Sequence, residues 1–271
     1  MTTALEAALR RQRTVTAAAL AVLAALAWAW LLLGAGMGME IRADLSPFPH
    51  RNGAGGMAGM PMAGDALATW SAARLALAFS MWWVMMVAMM LPAAAPVILL
   101  YAKAVSGRGA ETKPASGSFL AGYLSVWGLF SLLAAALQAA LERFAMLAPM
   151  SMGSAGQWFS AAVLIAAGLS LLSPLMEACL SRCRNPGAFL SRHYRPGRAG
   201  AFRLGLLHGA YCVGCCWLLM ALLFVGGVMN LAWVALLTLL VAAEKLLPGG
   251  RRVALAAGLG FIAWGAVTAL A

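Results

Sequence analysis

The stretch GLLHGAYCVGCCWLLMALLFVGGVM, residues 205–229, carries no charged side chain and is long enough to cross a bilayer as a helix. It also holds His208, Cys212, Cys215 and Cys216, which the 3.6-residue repeat of a helix places on one face. Polar and ionisable groups are costly at membrane depth, so their presence there indicates a functional site. Because sulfur and imidazole suit copper(I) or zinc, this stretch predicts a membrane helix that binds a soft metal.

The composition of the whole chain agrees with a membrane protein. Of its 271 residues, 63% are hydrophobic and only 10% are charged, whereas soluble proteins carry about 25% charged residues. The net charge is +11, but the basic residues lie between apolar runs, as the positive-inside rule predicts, and do not form one patch. We therefore expect a lipid bilayer as the environment and no nucleic-acid partner. The sequence contains no P-loop, so we expect no ATP-driven pumping.

Hydropathy predicts an all-α fold, a polytopic transmembrane bundle of about seven helices. We expect a cytoplasmic N-terminal segment, residues 1–14, followed by a single transmembrane domain, residues 15–271. The predicted spans lie near residues 15–36, 74–102, 119–140, 157–176, 205–229, 231–247 and 253–270.

The basic residues predict how these spans are oriented. A cytoplasmic N-terminus puts most of the 19 Lys and Arg residues on the cytoplasmic side, and the C-terminus is then periplasmic. The expected location is a bacterial inner membrane. Two connections are distinctive: an external loop rich in Met and Gly, residues 37–70, and a basic cytoplasmic loop, residues 177–204.

A second pair of cysteines, Cys179 and Cys183, belongs to this basic loop. The preceding span ends on the side where the span carrying His208 begins, so the two cysteine groups can meet without crossing the bilayer. The five cysteines are an odd number, which argues against a framework of disulfides. We therefore predict a thiolate and imidazole metal site, with Cys179 and Cys183 as its acceptor pair.

Methionines suggest a path for the same ion. Met81, Met85 and Met89 follow one another at four-residue spacing, and thioethers bind copper(I) without deprotonation. Met85 and Met89 are candidate transient ligands, although methionine is also an ordinary gap-filler in apolar packing. The external loop adds His50 and several further methionines: Met37, Met39, Met57, Met60 and Met62. Thioethers outside and thiols inside favour copper as the bound metal, ahead of zinc.

Other functions fit the same residues. The Cys-x-x-Cys spacing of Cys212 and Cys215 is typical of thiol–disulfide exchange, which would make the protein a membrane redox relay. A metal-dependent membrane enzyme, or a subunit of one, is a further alternative, although a role without catalysis is preferred. The cysteines are alternatively small hydrophobic residues in a structural bundle. Glu244 and Lys245 are interpreted as a helix cap or as partners of loop arginines.

Several motifs resemble one family, the bacterial predicted metal-binding integral membrane proteins, a domain of unknown function. The similarity spans roughly residues 70–250 and is carried by these motifs: Met-Met-Leu-Pro-Ala-Ala-Ala-Pro at 89–96, Gly122-Tyr123, the block from Arg203 to Trp217, the run from Phe224 to Asn230, and Glu244-Lys245. The resemblance implies an all-helical membrane fold with a metal site at His208, Cys212, Cys215 and Cys216. The predicted function is soft-metal binding and transfer, with a soluble metallochaperone or a membrane protein as exchange partner.

Overall fold

The computed structural model describes residues 2–33, 70–105, 112–144, 156–228 and 230–270. Within these ranges the chain is all-α, as predicted, with nine helices and one helical turn of four residues. They are α1 (Thr2–Leu32), α2 (Ala72–Val105), α3 (Thr112–Arg143), α4 (Gln157–Leu172), α5 (Pro174–Arg184), α6 (Pro186–His193), α7 (Gly197–Ala221), the turn α8 (Leu223–Gly226), α9 (Leu231–Leu246) and α10 (Gly250–Leu270). The external loop predicted for residues 37–70, with its methionines, lies outside the described residues except for Trp70.

The predicted number of seven spans is wrong for the described residues. Five segments are long and apolar enough to cross a membrane: Thr14–Leu32, Ala72–Val105, Ala115–Arg143, Gly197–Gly226 and Gly250–Leu270. Helices α4 and α9 have 16 residues each, which gives a length of about 24 Å against a hydrocarbon layer of about 30 Å. A sixth span exists only if α4 and α5, which are bent by 64°, are counted together.

The segment predicted as a basic loop, residues 177–204, is mostly helical. Pro174 begins α5, Pro186 begins α6, and Pro196 is the residue before α7. Proline lacks an N–H and has a helical φ, so it is well suited to the first turn of a helix. Ser173 adds a cap, because its side chain accepts a hydrogen bond from the Leu175 N–H. These prolines therefore begin new helices, and Cys179 and Cys183 lie together on one of them.

Helices α3 and α7 pack backbone to backbone through glycines. A Cβ added at Gly205 of α7 would collide with the carbonyl oxygen of Phe119, and one added at Gly122 of α3 would collide with that of Phe202. Small residues of this kind let two apolar helices approach closely. The close approach brings Tyr123 of α3 against the face of α7 that carries the cysteines.

A polar network joins α2 to α3 near the C-terminal end of α3. Trp82 Nε1 donates to Gln138 Oε1 at 2.8 Å, and Gln138 Nε2 donates to Glu142 Oε1 at 3.1 Å. Arg74 completes the network with an ion pair to Glu142 at 2.8 Å. The lone Gln138 of this apolar span therefore bonds across helices, which satisfies a side chain that is 1% exposed.

Candidate metal centre

The predicted face of α7 is buried inside the bundle. His208, Cys212, Cys215 and Cys216 are 3%, 2%, 1% and 2% exposed. The thiols of Cys215 and Cys216 both donate to the backbone carbonyl of Cys212, at 3.1 and 2.8 Å. All five cysteines are free, so the sulfur atoms are available as ligands.

A lysine from α9 contacts this face. Lys245 Nζ lies 3.0 Å from Cys212 Sγ, and both residues are buried. An ammonium group has no lone pair, so the nitrogen donates and the sulfur accepts. Burial of an ammonium group is costly unless the group is hydrogen-bonded, and the Cys212 sulfur accepts such a bond. The interpretation of Lys245 as part of a helix cap or as a partner of loop residues missed this contact.

Two more helices contribute to the surroundings of the cysteines. Tyr123 Oη of α3 is 3.3 Å from Cys212 Sγ and 3.2 Å from the carbonyl oxygen of Met90, to which it donates. The Met90 thioether of α2 is 3.9 Å from Cys216 Sγ. Side chains from α2, α3, α7 and α9 therefore converge on these cysteines.

Helix α5 brings the second pair of cysteines close to α7. The thiol groups of Cys183 and Cys215 are near enough to interact. Cys179 Sγ lies beside Gly214, 3.5 Å from the position that a Cβ would take there. Both residues are partly exposed, whereas the cysteines of α7 are buried. We call Cys183, Cys212, Cys215 and Cys216 the thiol cluster.

His208 lies among aromatic rings. Its ring centroid is 5.7 Å from that of Tyr123, 5.4 Å from that of Phe189 and 6.2 Å from that of Phe119. Within the described part of the chain its Nδ1 atom is buried without a hydrogen-bond partner. A buried polar atom of this kind is one that a ligand can satisfy, and the role of His208 in metal binding stays a prediction.

The predicted thioether ligands, Met85 and Met89, are buried in α2. The contact from this helix to the thiol cluster is made by Met90, the neighbour of Met89 in the sequence. A ligand role for Met85 and Met89 therefore stays a prediction, while Met90 is the thioether already placed beside a thiol.

A polar cavity opens at the end of α9. Its volume is about 400 Å³, and it is lined by residues of α5 and its C-cap, of the last turn of α9 and of the turn that follows: Glu177, Ser181, Arg184, Asn185, Lys245, Leu246, Leu247 and Pro248. Lys245 belongs both to this wall and to the contacts of Cys212. The buried thiols are therefore separated from the cavity by the length of one side chain.

The donor atoms are those of a soft metal such as copper(I) or zinc. Among the described residues, no group of three or more His, Cys, Asp and Glu side chains has the arrangement of a metal site. Cys215 and Cys216 direct their thiols to a carbonyl of their own helix. A structural zinc site needs four ligands in a tetrahedron, whereas copper(I) selects soft sulfur and accepts lower coordination. Rotation of these thiols about χ1 would free them for such an ion.

Comparison with known families agrees with this chemistry. A family model described as "PpoB2: Copper chaperone" matches residues 79–268, which includes the whole thiol cluster. The chain belongs to the PpoB2 copper chaperone family. No curated protein and no solved structure matches the chain significantly. The metal-related part of the family resemblance is thus confirmed, and the family description points to copper.

The candidate site includes residues that the metal-ligand prediction did not select. Lys245 was visible in the sequence as part of a charged pair within an apolar run, which is itself a signal of function. Tyr123 carries no comparable signal, because its contact with Cys212 depends on the packing of α3 against α7.

Proposed function

We propose that this chain is an integral membrane copper protein that binds copper(I) at the thiol cluster and transfers it without ATP. The observation that carries the proposal is that α5 lies against α7, with Cys179 beside Gly214 and Cys183 close to the buried Cys215. Because its thiols come from two helices, this site can bind a soft ion and then transfer it from one helix to the other. The family supports copper as that ion.

In this proposal Cys212 is the first ligand. Its sulfur is contacted by Lys245 of α9 and Tyr123 of α3, so its position is fixed by side chains of two other helices. Cys215 or Cys216 then turns away from the Cys212 carbonyl and completes the site. The thiol proton leaves as the copper–sulfur bond forms, and copper stays in the +1 state. Met90, Met85, Met89 and His208 are the proposed additional donors.

The proposed path of copper(I) runs from the buried cysteines of α7 to the partly exposed cysteines of α5. Cys183 lies close to the buried Cys215, and both Cys183 and Cys179 are partly exposed. An ion can move from Cys215 to Cys183 by exchange of one copper–sulfur bond for another, and from there to Cys179. The incoming thiol loses a proton and the departing thiolate gains one, so charge balances at each exchange.

The proposed setting is a bacterial inner membrane, with α5 and the cavity on the cytoplasmic side. The five apolar segments suggest membrane insertion, and the basic residues suggest the orientation. In the reducing cytoplasm thiols stay unoxidised, as copper(I) exchange requires. The proposed partner is a soluble metallochaperone that meets Cys179 at this face.

A disulfide relay through Cys212 and Cys215 fits the burial of these residues less well. Their exposures of 2% and 1% leave no access for the disulfide of another protein. A metal ion is small enough to reach them.

Metal analysis of the purified protein under reducing conditions tests the proposal. We expect copper in the wild type and its loss from the variant Cys212→Ala/Cys215→Ala. Val213→Ala is the matched control, because Val213 lies between these cysteines on the same helix but is only half-buried. Equal copper content in wild type and double variant would reject the thiol cluster as the binding site.

A further inference from the structure

We propose that Lys245 determines the charge selectivity of the thiol cluster, so that the site favours a monovalent soft ion over a divalent one. The inference rests on the proposed function, because it concerns the same site. In this inference Lys245, which is not a ligand, determines whether the site prefers copper(I) or a competing dication such as zinc.

The geometry fixes a positive charge beside the ligand set. Lys245 Nζ is 3.0 Å from Cys212 Sγ, and the residue is 8% exposed. Its neighbour Glu244 is also buried, but the hydrogen bond that the structure shows for Nζ goes to the sulfur. Any ion bound by Cys212 would therefore lie within a few ångströms of the ammonium group.

At this distance the ammonium group repels a bound cation in proportion to the charge of that cation. For one set of thiolates, a dication meets twice the repulsion of a monocation. Solvent ions screen such a buried interaction much less than an exposed one. Thiolates attract all soft metals, so the lysine supplies the distinction that the sulfur atoms alone do not.

Lys245 also stabilises the complex that copper(I) forms. Two thiolates with one monovalent ion carry a net charge of −1, and the ammonium group balances it. The site is then neutral when loaded, which favours its burial among apolar helices. Lys245 is thus a positioning and selectivity residue and not a ligand.

The test compares metal preference in the full-length protein. The affinities for copper(I) and for zinc(II) are measured by competition with chromophoric chelators for wild type, Lys245→Met, Lys245→Gln and Lys245→Arg. We expect both neutral variants to lower the preference for copper(I) over zinc(II) about tenfold or more. Lys245→Arg keeps the charge and should keep the preference.

The outcomes separate the inference from the proposed function. An unchanged preference in a folded neutral variant, Met or Gln, overturns the role of Lys245 while wild-type copper binding stands. A wild type that binds no copper, or a Cys212→Ala/Cys215→Ala variant that binds it fully, overturns the proposed function itself. An equal loss of both metals in the neutral variants would show a structural role only and would likewise overturn the inference.

Discussion

Cys212 is contacted from three directions. Its sulfur accepts from Lys245, its sulfur also lies 3.3 Å from Tyr123 Oη, and its carbonyl accepts from two thiols of its own helix. Groups that hydrogen-bond to a metal ligand orient it and tune its basicity. The affinity of the site for copper(I) should therefore depend on residues that never touch the metal.

Tyr123→Phe tests this dependence, because it removes only the hydroxyl group. We expect copper(I) affinity to fall about tenfold, measured by chelator competition, with little change in thermal stability. Tyr101→Phe is the matched control, since Tyr101 is equally buried and stacks on Phe119 at 5.2 Å between centroids. A similar loss in both variants would assign the effect to packing.

At this scale the sequence predicts some contacts and not others. The shared face of His208, Cys212, Cys215 and Cys216 follows from helical periodicity, and the burial of all four is confirmed. Lys245 and Tyr123 lie 33 and 89 residues from Cys212 in the chain. Their contacts arise from helix packing, which periodicity within a single helix does not encode.

Among the helices, the pairing of α3 with α7 positions the site. Gly205→Ala should lower the free energy of unfolding by about 2 kcal/mol, because the new Cβ would meet the backbone oxygen of Phe119, which no side-chain rotation can move. Copper(I) binding should weaken as well, since Tyr123 would move away from Cys212. Thermal unfolding in detergent measures the first effect and chelator competition the second.

Gly117→Ala provides the control on the same helix pair. Gly117 is exposed on α3, and a Cβ added there would meet no atom within 4 Å. Because alanine has the higher helix propensity, this variant should be as stable as the wild type or slightly more stable. Destabilisation of both variants to the same extent would contradict the role of close packing at Gly205.

The helix boundaries show where hydropathy alone is insufficient. Hydropathy located α9 to within one residue, but it extended the fourth span to residue 176, whereas α4 ends at Leu172. It also missed α5 and α6, because their composition is polar and proline-rich although proline begins both helices. Mean hydropathy indicates whether a segment is stable in lipid. A helix also needs hydrogen-bond partners for the unpaired backbone N–H and C=O groups of its first and last turns.

In the molecule as a whole, the two short helices α4 and α9 end close in the chain to residues that approach the cysteines of α7. Helix α4 stops at Leu172, where the chain turns by 64° into α5, and α9 stops at Leu246, next to Lys245. The cavity is lined by residues of α5 and by Lys245, which also contacts Cys212. A polar surface therefore lies close to the buried thiols, and exchange of an ion requires this proximity.

Copper(I) exchange at this site requires that α5 and the cavity face a reducing compartment. Because the positive-inside rule assigns the basic segment of α5 and α6 to the cytoplasm, we expect a reporter fused after Leu190 to be cytoplasmic and one fused after Gly55 to be periplasmic. Paired alkaline phosphatase and fluorescent-protein fusions measure both positions. Reversed readouts would place the five free cysteines on the oxidising side, where thiols form disulfides, and would favour the redox relay over copper(I) transfer.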